Sequence, residues 1–149
     1  MASTYDLLSR ASWSQVTLRE LAGLALGGNG ERRIDLAGPD VLLSPTHALA
    51  LGMVIHELAT NAAKYGALSG EAGRVSLGWT VEDGQVRLVW QEHDGPPVAR
   101  PDHKGFGLTL IEGQVQSQLE GAVEEHFEPD GFRLTLTFPL NATRDSDAG

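Results

Sequence analysis

The stretch HELATNAAKY, residues 56–65, decides how the rest of the chain reads. Ser44 followed by Pro45 supplies an N-cap and a proline at the first helical position, and the apolar pattern then continues at helical spacing to about Leu68. The stretch therefore lies on one long helix. A helix that only fills a core has no need of Glu57 and Asn61, four residues apart, nor of Lys64 and Tyr65 at further steps of three and four. All four fall on one stripe of the helix, and one stripe can face one ligand.

Upstream, Val16, Leu18, Leu21, Leu24 and Ala25 recur at helical spacing, which predicts a helix over 14–26 that the run Gly27-Gly28-Asn29-Gly30 stops. Two short apolar runs, 33–36 and 41–43, flank a Gly38-Pro39-Asp40 turn signal and read as strands. Downstream, 73–80 and 85–92 alternate in polarity around a link at 81–84 that ends in Asp-Gly, a hairpin signal. Residues 93–107, HDGPPVARPDHKGFG, are too rich in glycine and proline for a regular element, and a loop of that length in a small domain is more often a lid or binding loop than an idle connection. A helix over 108–119 and a second hairpin, 122–127 with 132–138, follow, and 141–149 reads as a polar tail. This order of elements predicts an α+β fold, a two-layer sandwich of a mixed sheet with helices on one face.

At 149 residues the chain suits one domain with a core that needs no staple. It has no cysteine, which excludes disulfides, zinc thiolates and a thiol nucleophile and leaves the cytoplasm as the default location. The longest apolar stretch, 48–59, is too short to span a bilayer and is broken by His56 and Glu57. Eleven Lys and Arg against 20 Asp and Glu give a net charge of −9, with no basic patch to attract nucleic acid or anionic lipid. A polyanionic nucleotide would meet the same repulsion, so binding one calls for a divalent cation and aimed backbone amides.

On the stripe, a carboxylate and an amide oxygen are hard donors suited to Mg2+, lysine can neutralise phosphate, and tyrosine can cover a flat ring. The same residues also read as a solvated face, with a hydrogen bond between Glu57 and Asn61 and Tyr65 tucked at the core edge. His56 and Glu57 begin the zinc-protease pattern HExxH, but position 60 is Thr60 and the second ligand is missing. His56 alone reads either as a structural or as a catalytic histidine. Gly105-Phe106-Gly107 precedes a helix start, where free amides can receive a phosphate or a hinge can sit. It is not the dinucleotide fingerprint, since Leu110 stands at the third glycine position, and no Walker loop occurs. Glu92 and Asp94, at the end of a strand, can accept a hydrogen bond from an exocyclic amine or face water.

Taken in order, HELATNAAKYGALS, WQEHDGPPV and GFGLTLIE resemble the N, G1 and G2 boxes of the GHKL ATP-binding fold. His56 in the first and Trp90-x-Glu92 in the second are similar to the HWE family of bacterial sensor histidine kinases, and the resemblance runs from Trp13 to Pro139. It implies ATP and Mg2+ as cofactors, with the nucleotide between the long helix and the glycine loop acting as ATP lid. It further implies that Asn61 holds Mg2+, that Glu57 and His56 are catalytic, and that Glu57 polarises or deprotonates the attacking imidazole or orders the metal shell. Lys64 would touch phosphate, Tyr65 would lie near the base, and Gly95, Gly105, Phe106, Gly107 and Leu108 would line the ATP site. Glu92 would stand at the adenine-reading position, with Asp94, which sits where the family usually has glycine, as competitor.

In such kinases the phosphate acceptor is a histidine on a dimerisation helix upstream, and no histidine precedes His47 here. His47, His93 and His103 lack the context of an acceptor. The expectation is a remnant of the dimerisation and acceptor region over 1–12, a catalytic domain over 13–140, and a monomer that binds ATP without phosphorylating itself in the usual way. Its expected partners are the histidine-bearing dimerisation domain of a parent kinase and a downstream response regulator, with no nucleic acid and no membrane contact. Two alternatives stay open at this point: a regulator of the same fold that phosphorylates serine or sequesters a partner, and an interaction domain without nucleotide.

Overall fold

The computed structural model describes residues 16–26, 33–95, 108–128 and 131–140, with only the backbone of Leu108. Among the described residues, the helix expected over 14–26 is instead a short strand β1, Val16–Thr17, followed by α1, Leu18–Leu26, and residues 14 and 15 lie outside them. A capping box sets the boundary: Thr17 N–H donates to Glu20 Oε1 at 3.0 Å and Glu20 N–H donates to Thr17 Oγ1 at 3.1 Å. Leu18, Leu21, Ala22 and Leu26 turn inward.

The two short apolar runs part company. β2, Ile34–Ala37, joins the main sheet, whereas β3, Leu42–Leu43, pairs antiparallel with β1 in a separate two-stranded sheet. The main sheet also holds β4, Arg74–Glu82, β5, Gln85–His93, β6, Ala122–Glu128, and β7, Gly131–Pro139, in the order β2-β4-β5-β7-β6. Only the β2–β4 pair is parallel, so the sheet is mixed as expected. Between β4 and β5 the link is shorter than expected. Asp83 and Gly84, both at positive φ, make a two-residue turn whose twist matches the strands, and the ladder runs on to Glu82 and Gln85.

α2, Pro45–Tyr65, begins with Ser44 accepting from His47 N–H at 3.2 Å. Its inward residues Leu51, Val54, Ile55, Leu58 and Ala62 recur at helical spacing and share the core with Val75, Leu77, Leu88, Trp90, Leu134 and Phe138 from the sheet. Each large side chain buried there contributes about 2 kcal/mol. The helix stops at Tyr65, short of the expected 68, because Gly66 leaves the helical conformation and a 3-10 turn, Ala67–Ser69, follows. α3, Leu108–Gln114, passes into a wider π turn, Val115–Leu119, where one helix was expected. Ile111, Val115 and Leu119 are buried, and Glu120 ends the turn in the left-handed region. No helix among the described residues is long and apolar enough to cross a membrane.

Candidate functional site

The stripe expected on the long helix occupies the last turns of α2. Because Leu58 and Ala62 point into the core, Glu57 and Asn61 sit at its margin, half-buried, while His56, Lys64 and Tyr65 are exposed. Tyr65 is 53% exposed and does not tuck into the core edge. The side chains of Glu57 and Asn61 make no hydrogen bond or ion pair with another described residue, so the bond expected of a merely solvated face is not formed. Lys64 stands in the last turn, where a cation faces the negative end of the helix dipole.

Beneath this helix end lies Glu92. Inward residues alternate along β5 as Val86, Leu88, Trp90 and Glu92, and that period of two carries the carboxylate into the interior, where it is 3% exposed. It therefore belongs to a central strand of the sheet and does not face water. Its Oε1 accepts from the Ala67 amide at 2.9 Å and its Oε2 accepts from Trp90 Nε1 at 3.0 Å. Burial raises its pKa, against the lowering effect of those two donors. Sequence reasoning had Trp90 only as a family mark and passed over Ala67; the alternation in β5 was the signal that Glu92 turns inward.

Two glycines permit the close approach. A Cβ on Gly66 would come within 2.2 Å of Glu92 Oε1, and one on Gly95 within 2.4 Å of Ala67 Cα. Between Glu92 and Gly95, Asp94 is exposed and holds φ 57, a conformation that glycine adopts freely and aspartate tolerates better than most residues. That accounts for an aspartate where the resembling family usually has glycine. His93, half-buried on β5, pairs with Ser76 Oγ at 3.1 Å and is drawn away from the helix stripe. Residues Gly105, Phe106, Gly107 and His103 lie outside the described residues, as do 1–15 and 141–149, and Leu108 contributes only its backbone at the start of α3.

Two oxygen-bearing side chains one helical turn apart, Glu57 and Asn61, form a hard donor set of the kind Mg2+ accepts when substrate phosphates and water complete its shell. Among the described residues no group of three His, Asp or Glu gathers that could cage a metal by itself.

No family model matches the chain. It is 46% identical over 112 residues to blue-light-activated histidine kinase 1 of Erythrobacter litoralis, covering 73% of this chain and 31% of that protein. It is 33% identical, across 95% of its own length, to a blue-light-activated histidine kinase of Brucella anthropi, of which it covers 30%. The chain thus spans about a third of the length of the curated relatives it matches. In fold it is similar to the histidine kinase domain from Erythrobacter litoralis EL346 blue-light-activated histidine kinase, with a TM-score of 0.72 and 20% identity over 95% of this chain and 72% of that one. By sequence and by fold the chain belongs with the catalytic domains of the histidine kinases, of the GHKL fold, and its helix and tryptophan-glutamate motifs are consistent with the HWE branch.

Proposed function

We propose that residues 13–140 form the ATP-binding catalytic domain of a cytoplasmic two-component sensor histidine kinase, which passes the γ-phosphate of Mg·ATP to a histidine on a dimerisation domain and onward to a response regulator. The observation that carries this reading is the end of α2: a carboxylate and an amide, half-buried, with an exposed lysine and tyrosine on the same stripe, where the chain just after the helix packs on Glu92 and Gly95. Asn61, with Glu57 beside it, would hold Mg2+, which when bound neutralises charge on the phosphates. Lys64 meets the phosphate tail and Tyr65 lies near the base.

Glu57 accepts the proton carried by one imidazole nitrogen as the other, unprotonated nitrogen attacks the γ-phosphorus, while the bond to the bridging oxygen breaks and ADP leaves. His56, one position earlier and exposed, flanks the same entry. Gly95, Gly105, Phe106, Gly107 and Leu108 would line the nucleotide, as the family resemblance implies. The inward turn of Glu92, with both oxygens already accepting, supports Asp94 as the side chain that accepts from the adenine amino group, with Glu92 forming the floor beneath it.

Calorimetric titration with a non-hydrolysable ATP analogue, with and without Mg2+, tests the reading. Saturable binding that Mg2+ strengthens is expected; no binding at millimolar analogue overturns it.

A further inference from the structure

The turn that carries Ala67 is held from the opposite side by a residue that belongs to none of the three motifs. Arg33, half-buried just before β2, donates from Nη1 to the carbonyl oxygens of Gly70 and Gly73, the latter at 3.2 Å, and from Nη2 to that of Leu68 at 3.3 Å. One planar guanidinium thus gathers three carbonyls of a single turn, a geometry its rigid fork of donors allows and an ammonium cannot reproduce. The first part of the turn is also held by the Ala67 amide on Glu92, by Ser69 N–H and Oγ–H donating to the Gly66 carbonyl, and by the buried Ala67 and Leu68. Beyond it Glu71 and Ala72 are exposed, and segments with few buried apolar contacts open most easily. Arg33 itself is well placed as an anchor, because the next residue, Ile34, enters the parallel ladder opposite Val75.

The consequences reach the site through Ala67. Its amide lies on Glu92 and its Cα lies against Gly95, which continues directly from Asp94. We infer that Arg33 is a positioning residue of the nucleotide site: by fastening 68–73 to the β2 edge it fixes Ala67 between Glu92 and Gly95 and so sets where Asp94 stands. The inference rests on the proposed nucleotide site and adds to it a residue more than twenty positions before the first motif.

The experiment compares the wild-type chain with Arg33→Gln and Arg33→Lys in two measurements. Amide hydrogen exchange on the nucleotide-free chain reads the anchor. Titration with non-hydrolysable ATP and GTP analogues in Mg2+ reads the site. In Arg33→Gln the Ala67 amide is expected to exchange faster while β5 and β7 amides keep their protection. The ATP analogue binds roughly tenfold more weakly, and the preference for adenine over guanine narrows, since small misplacements at a site carry large costs. Arg33→Lys keeps the charge and one donor direction and should recover part of both effects, in a protein that melts with the wild type.

Faster exchange at Ala67 with affinity and base preference unchanged would overturn the inference, as would unchanged exchange. Absence of nucleotide binding by the wild-type chain would instead strike the underlying reading of the site, with the exchange data still deciding whether Arg33 anchors the turn.

Discussion

At the N-terminal end of α2, Ser44 caps the helix, Pro45 starts it, and His47 is buried with its ring perpendicular to Phe138 at 5.4 Å between centroids. At the C-terminal end Lys64 and Tyr65 stand in solvent, Glu57 and Asn61 are half-buried, and the carboxylate tucked beneath comes from another element, Glu92 of β5. Each end buries one titratable group, and burial pushes both toward neutrality, the histidine pKa down and the carboxyl pKa up. The difference lies in what is left over. The first end uses its polar groups to start the helix and close the core; the second keeps the side chains of Glu57 and Asn61 at the core margin without a partner among the described residues, and aimed polar groups left over in this way are what a ligand can use.

The change that should separate the ends most strongly is Asn61→Ala. It is expected to abolish Mg2+-dependent binding of an ATP analogue while the thermal unfolding midpoint stays near that of the wild type, by calorimetry and circular dichroism on the same samples. Unchanged affinity would remove Asn61 from the metal role and erase the functional side of the comparison.

Next in size is Glu92→Gln, which keeps the shape but can accept from only one of the Ala67 amide and the Trp90 indole. Leaving a buried donor unpaired costs about 1–3 kcal/mol, readable by chemical denaturation. The pH dependence has a definite sign. Because the folded pKa of Glu92 lies above the unfolded value, its share of stability is full below the unfolded pKa near 4.5 and is lost as pH rises through the folded one. Glutamine lacks that slope, so the gap between wild type and variant should be widest in acid and shrink as pH rises. The same pair of proteins sharpens the reading of the base. Asp94→Ala should narrow the adenine preference and Glu92→Gln should keep it; the reverse result would return Glu92 to the reader's place.

Why some of this was legible in the sequence and some was not follows from how far each signal reaches. The Ser44-Pro45 start, the helical period of α2 and the Asp83-Gly84 turn are local, and the helix begins and the hairpin turns where they were expected, although the helix ends earlier and the hairpin link is shorter. β1 is two residues long and exists only through its pairing with Leu42 and Leu43, a contact across the chain that no local pattern announces. The same holds for the parallel seat of β2 beside β4. The early stop of α2 is tertiary as well: Gly66 breaks the helix where its Cα must pass over Glu92. At the site, the stripe from Glu57 to Tyr65 was legible because helical spacing alone gathers it. Arg33 was not, because its partners are carbonyl oxygens, which every residue carries and no sequence distinguishes.

The smallest expected effect belongs to the N-terminal end and tests whether it is purely structural. The folded pKa of His47 lies below its unfolded value, so the native state binds fewer protons; stability is full above about pH 6.5 and declines as pH falls through the lowered value. His47→Gln should flatten that decline. Glu120, at the end of the π turn, attracts the protonated ring and softens the decline, and it sits at φ 56, where a side chain costs roughly 1 kcal/mol relative to glycine. Two variants separate the terms. Glu120→Gln keeps the backbone cost and removes the charge, so it should match the wild type at pH 8 and melt lower at pH 5. Glu120→Gly removes both, so it should melt higher at pH 8 and lose that advantage at pH 5. None of these changes should move the affinity for an ATP analogue at pH 8. If His47→Gln does move it, the two ends of α2 are coupled, and the division of labour between them fails.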